Sequence, residues 1–227
     1  MERLGTGSKV IRLLHNRAKS NPKKVVFAEA DHLDVLKAAQ IVFDEGIGVP
    51  ILLGRKETIL GLKEEIGFTG DVEIIDPKTD GENTRKNKYA KSYWKARHRK
   101  GIKYIDAQKL MRERNYFAAM MVNEGEADAV ITGYSRNYVN VVKPMLELIG
   151  MSEGVTRVAA ANLMLTKRGP IFLADTTINV DPTAEQLAKI SQLTASLAKI
   201  FHIQPNIAML SYSNFGASSD ANAKKIA

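Results

Sequence analysis

A run of small polar residues follows an apolar segment near the end of the chain. The apolar residues 205–210 have the pattern of a buried strand, and the sequence continues as Ser211-Tyr-Ser-Asn-Phe-Gly216 into a helix-forming tail. Hydroxyls, loop amides and a helix N-terminus favour negative charge, so Ser211, Ser213 and Asn214 are candidate ligands of a phosphate or an acyl phosphate. The alternative is an ordinary strand-to-helix turn, for which serine and glycine are equally typical.

A strongly basic segment in the middle of the chain is the second candidate. The chain has a formal net charge of +8, and residues 85–103 hold nine basic and no acidic residues. Such a run is typical of a solvated helix face and also fits a nucleic-acid surface. Tyr89, Tyr93 and Arg97 recur every four residues, so they share one helical face on which the tyrosines are predicted to be buried. Arg97 is predicted to point inward or into a cleft towards a fixed anion, because an unpaired buried charge is costly.

Alternating helical and strand-like patterns indicate the elements that position these residues. Strands are predicted over residues 24–28, 50–53, 72–76 and 127–132, and helices over 8–18, 33–45, 58–66 and 106–124. A further helix is predicted in the basic segment. Helices that alternate with strands produce a mostly parallel sheet with helices on both faces. The sequence therefore predicts an α/β fold, with a first subdomain over residues 1–150.

The pattern changes near Gly150. Residues 158–165 and 171–174 have the pattern of a β-hairpin, and a helix is predicted over 183–201. These segments indicate a second α/β subdomain over residues 151–227, which we expect to be incomplete.

Three loops that follow predicted strands carry polar side chains. The loop after residue 132 contains Ser135 and Arg136, the loop after residue 174 begins with Asp175, and the third is the serine loop. Ligands of open α/β sheets bind beyond the carboxyl ends of the strands, so we expect the loops to converge. Asp175 has two interpretations, a group that faces the substrate or a structural cap that binds backbone amides.

Composition excludes several classes of protein. The 227 residues are 44% hydrophobic and include no cysteine, which removes disulfides, thiol nucleophiles and thiolate metal sites. No apolar run approaches the roughly 20 residues of a membrane span, and no signal peptide is recognisable. We therefore expect a cytoplasmic protein with no metal site. No Gly-x-Gly-x-x-Gly follows a strand, so no nicotinamide site is predicted in this chain.

A series of ordered motifs resembles the phosphate acetyl/butyryltransferase family. They are Val26-Phe-Ala-Glu-Ala30, Gly46-Ile-Gly-Val-Pro-Ile-Leu-Leu-Gly54, Ile75-Asp-Pro77, Arg97-His-Arg-Lys-Gly101, Tyr116-Phe-Ala-Ala-Met-Met121, Ala127-Asp-Ala-Val-Ile-Thr-Gly133, Phe172-Leu-Ala-Asp175 and Met209-Leu-Ser-Tyr-Ser213. Within the family the chain is most similar to the C-terminal part of bacterial NADP-dependent malic enzymes. Arg3-Leu-Gly-Thr-Gly-Ser-Lys-Val-Ile11 and Ser213-Asn-Phe-Gly216 carry that closer resemblance.

The resemblance implies a fold, a reaction and substrate contacts. The fold is the isocitrate/isopropylmalate dehydrogenase-like arrangement of two subdomains found in phosphotransacetylases. The reaction converts an acyl phosphate and coenzyme A into acyl-CoA and phosphate, with coenzyme A or acetyl-CoA as substrate or effector. Arg97 aligns with an arginine that binds phosphate or coenzyme A, and the loops of Ser135, Arg136 and Ser211 align with substrate-contacting loops. Lys143 stands where catalytic members have arginine, which keeps the charge but loses the bidentate fork.

The same resemblance places the family's catalytic Ser-Arg pair and aspartate base beyond Ala227. The chain is therefore expected to be an inactive fragment, with catalytic residues that this sequence does not identify. NADP and a divalent metal are expected only in a malic enzyme region upstream.

Three functions stay open. The first is an acetyl-CoA-sensing and oligomerisation part of a malic enzyme, and the second is a stand-alone catalytic phosphate acetyl/butyryltransferase. The third, nucleic-acid binding, is disfavoured because no recognised motif accompanies the charge. The expected partners are small acyl phosphates, coenzyme A and further copies of the chain as a homodimer or higher oligomer, with no membrane partner.

Overall fold

A computed structural model describes residues 6–79, 84–213 and 217–226. Asn214, one of the predicted ligands, lies outside the described residues. The chain divides into two compact units, one of His15–Gly150 and one that combines the chain up to Leu14 with Met151–Ala227.

The larger unit is built around a sheet of four parallel strands. They are β1 (Lys23–Phe27), β2 (Gly48–Leu53), β3 (Glu73–Ile75) and β4 (Ala129–Ile131), in the order β3-β2-β1-β4. The chain steps from β1 to β2 and β3 in one direction, and β4 then pairs with the other edge of β1. The direction of winding therefore reverses between β1 and β4, where open α/β sheets bind ligands.

Helices precede, connect and follow those strands along the chain. They are α1 (Thr6–Ser20), α2 (Leu33–Asp44), α3 (Lys56–Glu65), α4 (Thr84–Arg97), α5 (Tyr104–Leu110), α6 (Arg114–Asn123) and α7 (Tyr138–Leu148). A single 3-10 turn over His98–Lys100 follows α4 and ends at Gly101, whose φ is 88°. The predicted parallel sheet flanked by helices is confirmed.

Alternating side chains of the strands bury two apolar layers on opposite faces of the sheet. Val26 and Ile51 pack with the buried residues of α4, α5 and α6. Phe27 and Leu52 pack with Leu36 of α2, and this second cluster also includes residues of α3. Burial on both faces explains why these strands are nearly continuous hydrophobic runs.

The long helix predicted over residues 106–124 is wrong in one respect, because it is two helices. Glu113 adopts an extended backbone, with φ −86° and ψ 126°, and becomes the N-cap of α6. The break lets α5 bury Met111 while α6 buries seven consecutive residues, from Asn115 to Met121. A helix that is apolar on all sides is a central core element, and the amphipathic pattern of the preceding turns does not continue into it.

The second unit contains a β-hairpin and two helices. β5 (Ala161–Thr166) and β6 (Gly169–Ala174) pair antiparallel, as the sequence predicts, and α8 (Ala184–Ile200) and α9 (Ala221–Ile226) follow. A capping box begins α8, because the side chain of Thr183 accepts from the amide of Gln186 and the Gln186 side chain accepts from the amide of Thr183.

The buried strand predicted over residues 205–210 is not observed. The segment has no strand hydrogen bonding, and Ile207 and Leu210 are exposed. The described strands of this unit pair only with each other as a hairpin, so no described strand hydrogen-bonds this segment. An apolar run alone does not create a strand, since strand formation requires a hydrogen-bonding neighbour.

Among the described residues, no helix is long and apolar enough to cross a bilayer, and no group of three or more His, Asp or Glu side chains is arranged to hold a metal ion.

Candidate functional site

Glu29 lies at the carboxyl end of β1, beside the point where the sheet changes direction. The amide of Ala28 donates to Ile131 O at 3.0 Å, and the amide of Ala30 donates to Leu53 O at 3.0 Å. The backbone around Glu29 is thus bonded to β4 on one side and to β2 on the other. The residue is only 2% exposed, so its carboxylate needs partners inside the protein.

The loop after β4 supplies those partners. The amides of Gly133 and Tyr134 donate to Glu29 Oε1 at 2.7 and 2.9 Å, and the amide of Ser135 donates to Oε2 at 2.8 Å. The Ser135 hydroxyl also donates to Oε2, and the hydroxyl of Thr132 lies 3.2 Å from Oε1. Three successive amides that point at one anion form a nest. Gly133 has φ 103°, a conformation that favours glycine.

These hydrogen bonds determine the protonation of Glu29. Burial by itself would raise the pKa of its carboxyl group, but the hydrogen bonds from the Ser135 hydroxyl and the three loop amides outweigh burial and lower the pKa to about 2. A carboxylate offers about four lone-pair sites, and donors surround both oxygens of Glu29. Glu29 is therefore a charged acceptor that holds the loop and a poor general base.

A small cavity adjoins this loop. It has a volume of about 200 Å³ and is lined by apolar side chains of β1, α2 and β4, together with Glu29, Asp34, Thr132 and Tyr134. The Tyr134 hydroxyl donates to Asp34 Oδ2 at 2.6 Å, and the Tyr134 ring contacts the His32 ring at 5.3 Å between centroids. The carboxylate of Asp34 raises the pKa of the Tyr134 hydroxyl. The loop after β4 thus forms one wall of an open space at the ligand-binding end of the sheet.

A second buried carboxylate, Asp31, fixes the start of α6. Both of its oxygens accept from the Arg114 guanidinium, at 2.6 and 2.5 Å. Burial opposes ionisation of Asp31, but the hydrogen bonds and positive charge of Arg114 lower its pKa. A bidentate pair of this kind orients both groups. The pair holds α6 against the end of β1.

Arg97 occupies the face that the sequence predicts, with Tyr89 and Tyr93 buried beside it. Its guanidinium pairs with Glu147 Oε1 of α7 at 3.1 Å. Glu147 Oε2 accepts from the hydroxyls of Tyr93, at 3.1 Å, and Tyr116, at 2.9 Å. The anion that faces Arg97 in the structure is therefore a carboxylate of the protein.

Two predicted cations are exposed. Arg136 follows the nest directly, and Lys143 lies on α7. Neither forms an ion pair with any residue that the structure describes. Asn137 begins α7 as its N-cap, and its side chain accepts from the amide of Asn140 at 3.0 Å. Arg136 thus stands between a loop held by Glu29 and a capped helix.

The two described serines of the serine loop, Ser211 and Ser213, lie in the second unit. Ser211 is exposed, and its hydroxyl accepts from the Ser213 amide at 3.2 Å, whereas the Ser213 hydroxyl accepts from the Ser218 amide at 3.0 Å. These local contacts are those of a turn, and in both of them the serine hydroxyl is the acceptor. α9 has only six residues. Both interpretations of the serine loop therefore stay open.

Asp175 caps the backbone of its own loop. Its carboxylate accepts from the amides of Ala160 at 3.0 Å and Asn179 at 2.8 Å, and it lies 3.3 Å from two further amides. Burial would raise the pKa of Asp175, but the Asn179 side chain and these amides lower it to about 2. The contacts favour the structural-cap interpretation. The rule that ligands bind beyond the carboxyl ends of parallel strands applies to the loop after β4. It does not apply to the loop after β6, because β6 belongs to an antiparallel hairpin. The convergence of the three loops therefore stays a prediction.

Carboxylates neutralise part of the basic segment. Arg85 pairs with Glu73 and Glu126, and Lys88 pairs with Glu124 and Glu126, at 2.9–3.2 Å. Hydrogen bonding to these carboxylates raises the pKa of Lys88. The segment is thus in part an ion-paired helix face.

Sequence reasoning missed the two carboxylates that organise the larger unit. Glu29 and Glu147 are single acidic residues without a motif of their own, although Glu29 lies inside one of the family-like motifs. An acidic residue within an otherwise apolar strand end was the available signal for Glu29, because such a residue requires donors.

The fold and the loop after β4 define an α/β protein in which the strand order reverses beside a loop that is hydrogen-bonded to Glu29 and followed by Arg136. Residues 9–227 match the family described as Phosphate acetyl/butaryl transferase, and the chain belongs to that family.

Similar proteins are of two kinds. The chain is 36% identical over 220 residues to the NADP-dependent malic enzyme of Salmonella typhimurium, which covers 94% of this chain and 28% of that enzyme. It is 32% identical over 224 residues to the phosphate acetyltransferase of Thermoanaerobacterium thermosaccharolyticum, covering 96% of this chain and 67% of that enzyme. A phosphotransacetylase structure from Streptococcus pyogenes superposes with a TM-score of 0.87 at 34% identity, covering 96% of this chain and 66% of that one. The chain spans less than a third of the malic enzyme.

Proposed function

We propose that this chain binds coenzyme A and an acyl phosphate as part of a phosphate acetyltransferase-type site. The observation that carries the proposal is the placement of Arg136 at the ligand-binding end of the sheet. It is an exposed cation without an ion-pair partner among the described residues, on a loop held from both sides. A phosphate group suits such a guanidinium, because its oxygens accept two parallel hydrogen bonds.

We further propose that the chain belongs to an NADP-dependent malic enzyme, in which it senses acetyl-CoA and supports oligomerisation. The similarity to the Salmonella typhimurium malic enzyme supports this context. NADP and a divalent metal would then act in another part of that protein. The ion pair between Arg97 and Glu147 is compatible with a sensor, since it occupies a cation that a transferase would use for its substrate.

A stand-alone phosphate acetyl/butyryltransferase is the second candidate. The similarity to the Thermoanaerobacterium thermosaccharolyticum enzyme, two thirds of which the chain covers, supports it. In this setting the same groups would bind the same ligands, and the chemistry would transfer the acyl group from phosphate to the thiol of coenzyme A.

Calorimetric titration of the 227-residue chain with coenzyme A, acetyl-CoA and acetyl phosphate tests the shared part of the proposal. We expect binding of coenzyme A or acetyl-CoA and of acetyl phosphate. Arg136→Ala should weaken acetyl phosphate binding at least about tenfold, or about 1.4 kcal/mol. Lys95→Ala is the matched control, because Lys95 is an exposed lysine of the same unit without an ion pair among the described residues. Equal losses in the two variants would indicate only a general effect of net charge.

Turnover tests the second setting. Coenzyme A-dependent release of phosphate from acetyl phosphate by the purified chain would favour a catalyst, whereas binding of acetyl-CoA without turnover is expected in both settings.

Self-association is part of the proposal. The hairpin of the second unit exposes Met164, Leu165, Ile171 and Leu173, and exposed apolar patches promote association. We expect a two-fold dimer, and a monomer in light scattering throughout the micromolar range would contradict it.

A further inference from the structure

We propose that Glu29 is a positioning residue of this site: its carboxylate holds the loop of residues 133–135 in the arc that presents Arg136 to the acyl phosphate. The inference rests on the proposed function and adds to it a residue that contacts no ligand.

Glu29 is itself held in place by the sheet. Its two neighbours donate backbone hydrogen bonds to Ile131 and Leu53, on opposite sides of β1, and its side chain is almost fully buried. A carboxylate held in this way is constrained by its backbone and by the side chains around it. It can therefore serve as a fixed point for the loop rather than as a mobile acid or base.

Glu29 fills the nest that a substrate anion would otherwise occupy. The amides of residues 133–135 all donate to its two oxygens, at 2.7–2.9 Å, and the Ser135 hydroxyl donates to the same carboxylate. A phosphate that used these amides would have to displace a buried charge and leave it unpaired, which is costly. The nest thus supports the loop, and recognition of the ligand falls to the residue that follows it.

Arg136 is that residue. The residue before Arg136, Ser135, is hydrogen-bonded to Glu29, and the residue after it, Asn137, is the N-cap of α7. The backbone is hydrogen-bonded on both sides of an exposed guanidinium, so the Arg136 backbone has little conformational freedom left to lose on binding. Without Glu29, three amides and a hydroxyl lose their acceptor, and the loop is free to rearrange.

The test compares Glu29→Gln with Glu29→Asp and a matched control. Asp128→Asn removes a carboxylate that accepts from the Lys24 amide at 2.8 Å, at the opposite end of the same two strands. We measure hydrogen exchange of the amides of residues 133–135 and calorimetric affinity for acetyl phosphate. Glu29→Gln should speed exchange and weaken binding at least about tenfold. Glu29→Asp should have an intermediate effect on both measurements, because its side chain keeps the negative charge but is shorter by one methylene group. Asp128→Asn should change neither the exchange rate nor the affinity.

A double mutant separates positioning from a general loss of stability. If Glu29 acts through Arg136, adding Glu29→Gln to Arg136→Ala should weaken binding no further, because the two losses share one interaction. Additive losses would overturn the inference.

The remaining outcomes are also decisive. If the wild-type chain binds no acetyl phosphate, the proposed function fails and the inference fails with it. If the wild type binds and Glu29→Gln keeps wild-type affinity while its loop exchanges faster, the proposed function stands and the positioning role is overturned. If Glu29→Gln does not fold, Glu29→Asp decides by the same two measurements.

Discussion

Glu147 is the residue that joins three helices of the larger unit. It lies on α7 and accepts from Tyr93 of α4 and Tyr116 of α6, while its other oxygen pairs with Arg97. Burial, and then the charge and hydrogen bonds of Glu147, raise the pKa of both tyrosines, so they remain protonated donors. Two roles for Arg97 follow. It is either a structural partner of Glu147 or a ligand-binding residue that pairs with Glu147 when no ligand is bound.

Opposite effects of two substitutions distinguish these roles. If Arg97 binds coenzyme A, Arg97→Ala should weaken that binding at least about tenfold. Glu147→Gln should preserve or strengthen it, because the guanidinium no longer has a competing carboxylate. Calorimetric titration with coenzyme A measures both. Equal weakening by the two variants would assign the pair a structural role instead.

At the scale of single elements, two glycines in the α3 region have opposite surroundings. Gly61 lies inside α3, and a Cβ added there would meet no atom within 4 Å. Gly70 follows α3, and a Cβ there would lie 2.4 Å from Phe43 Cε1 and 2.6 Å from Phe68 Cε2. These two rings pack edge to face, with centroids 5.6 Å apart. Glycine is replaceable in the first place and required in the second.

Alanine substitutions should therefore change stability in opposite directions. Gly61→Ala should raise the free energy of unfolding by about 0.5–1 kcal/mol, because alanine favours the helix and restricts the unfolded chain. Gly70→Ala should lower it by about 1–3 kcal/mol, because the ring pair must move. Urea unfolding at constant pH measures both changes. A neutral Gly70→Ala would show that the contact between the segment and the rings is looser than these distances indicate.

At the scale of the whole molecule, hydrogen-bonded carboxylates make the stability of the protein depend on pH in the acid range. The pKa of Glu29 falls from its ordinary value of 4.5 to about 2, the pKa of Asp175 falls to about 2, and that of Asp31 is also lowered. A group with a lowered folded-state pKa contributes stability above its unfolded pKa. That contribution is lost as the pH falls through the folded value.

The predicted consequence is a loss of stability between about pH 4.5 and about pH 2. Glu29 should account for about 3 kcal/mol of it, because each unit of pKa shift corresponds to about 1.4 kcal/mol. Urea unfolding across this range should give a shallower pH dependence for Glu29→Gln than for the wild type. Parallel pH profiles of the two proteins would contradict the assignment to Glu29.

Sequence periodicity and motifs were sufficient to predict most of the secondary structure and the family of this protein. The four parallel strands, the hairpin, the buried face of Tyr89 and Tyr93, and the family were all predicted correctly. These features are readable because an apolar pattern of period 2 or 3.6 records which side of an element avoids water. Each helix or strand carries its own pattern, so its buried face can be predicted without knowing which elements pack against it.

Only the tertiary structure decided which polar groups meet. Glu29 and the Gly133 loop are 104 residues apart, and they come together because β4 pairs with β1 and not with β3. Arg97 faces Glu147 because α7 packs beside the ends of α4 and α6, and residues 205–210 form no strand because no described strand pairs with them. The periodicity of the sequence indicates which side chains are buried. Hydrogen bonds and ion pairs between distant residues depend on the order of the strands and the packing of the helices, which the local sequence does not specify.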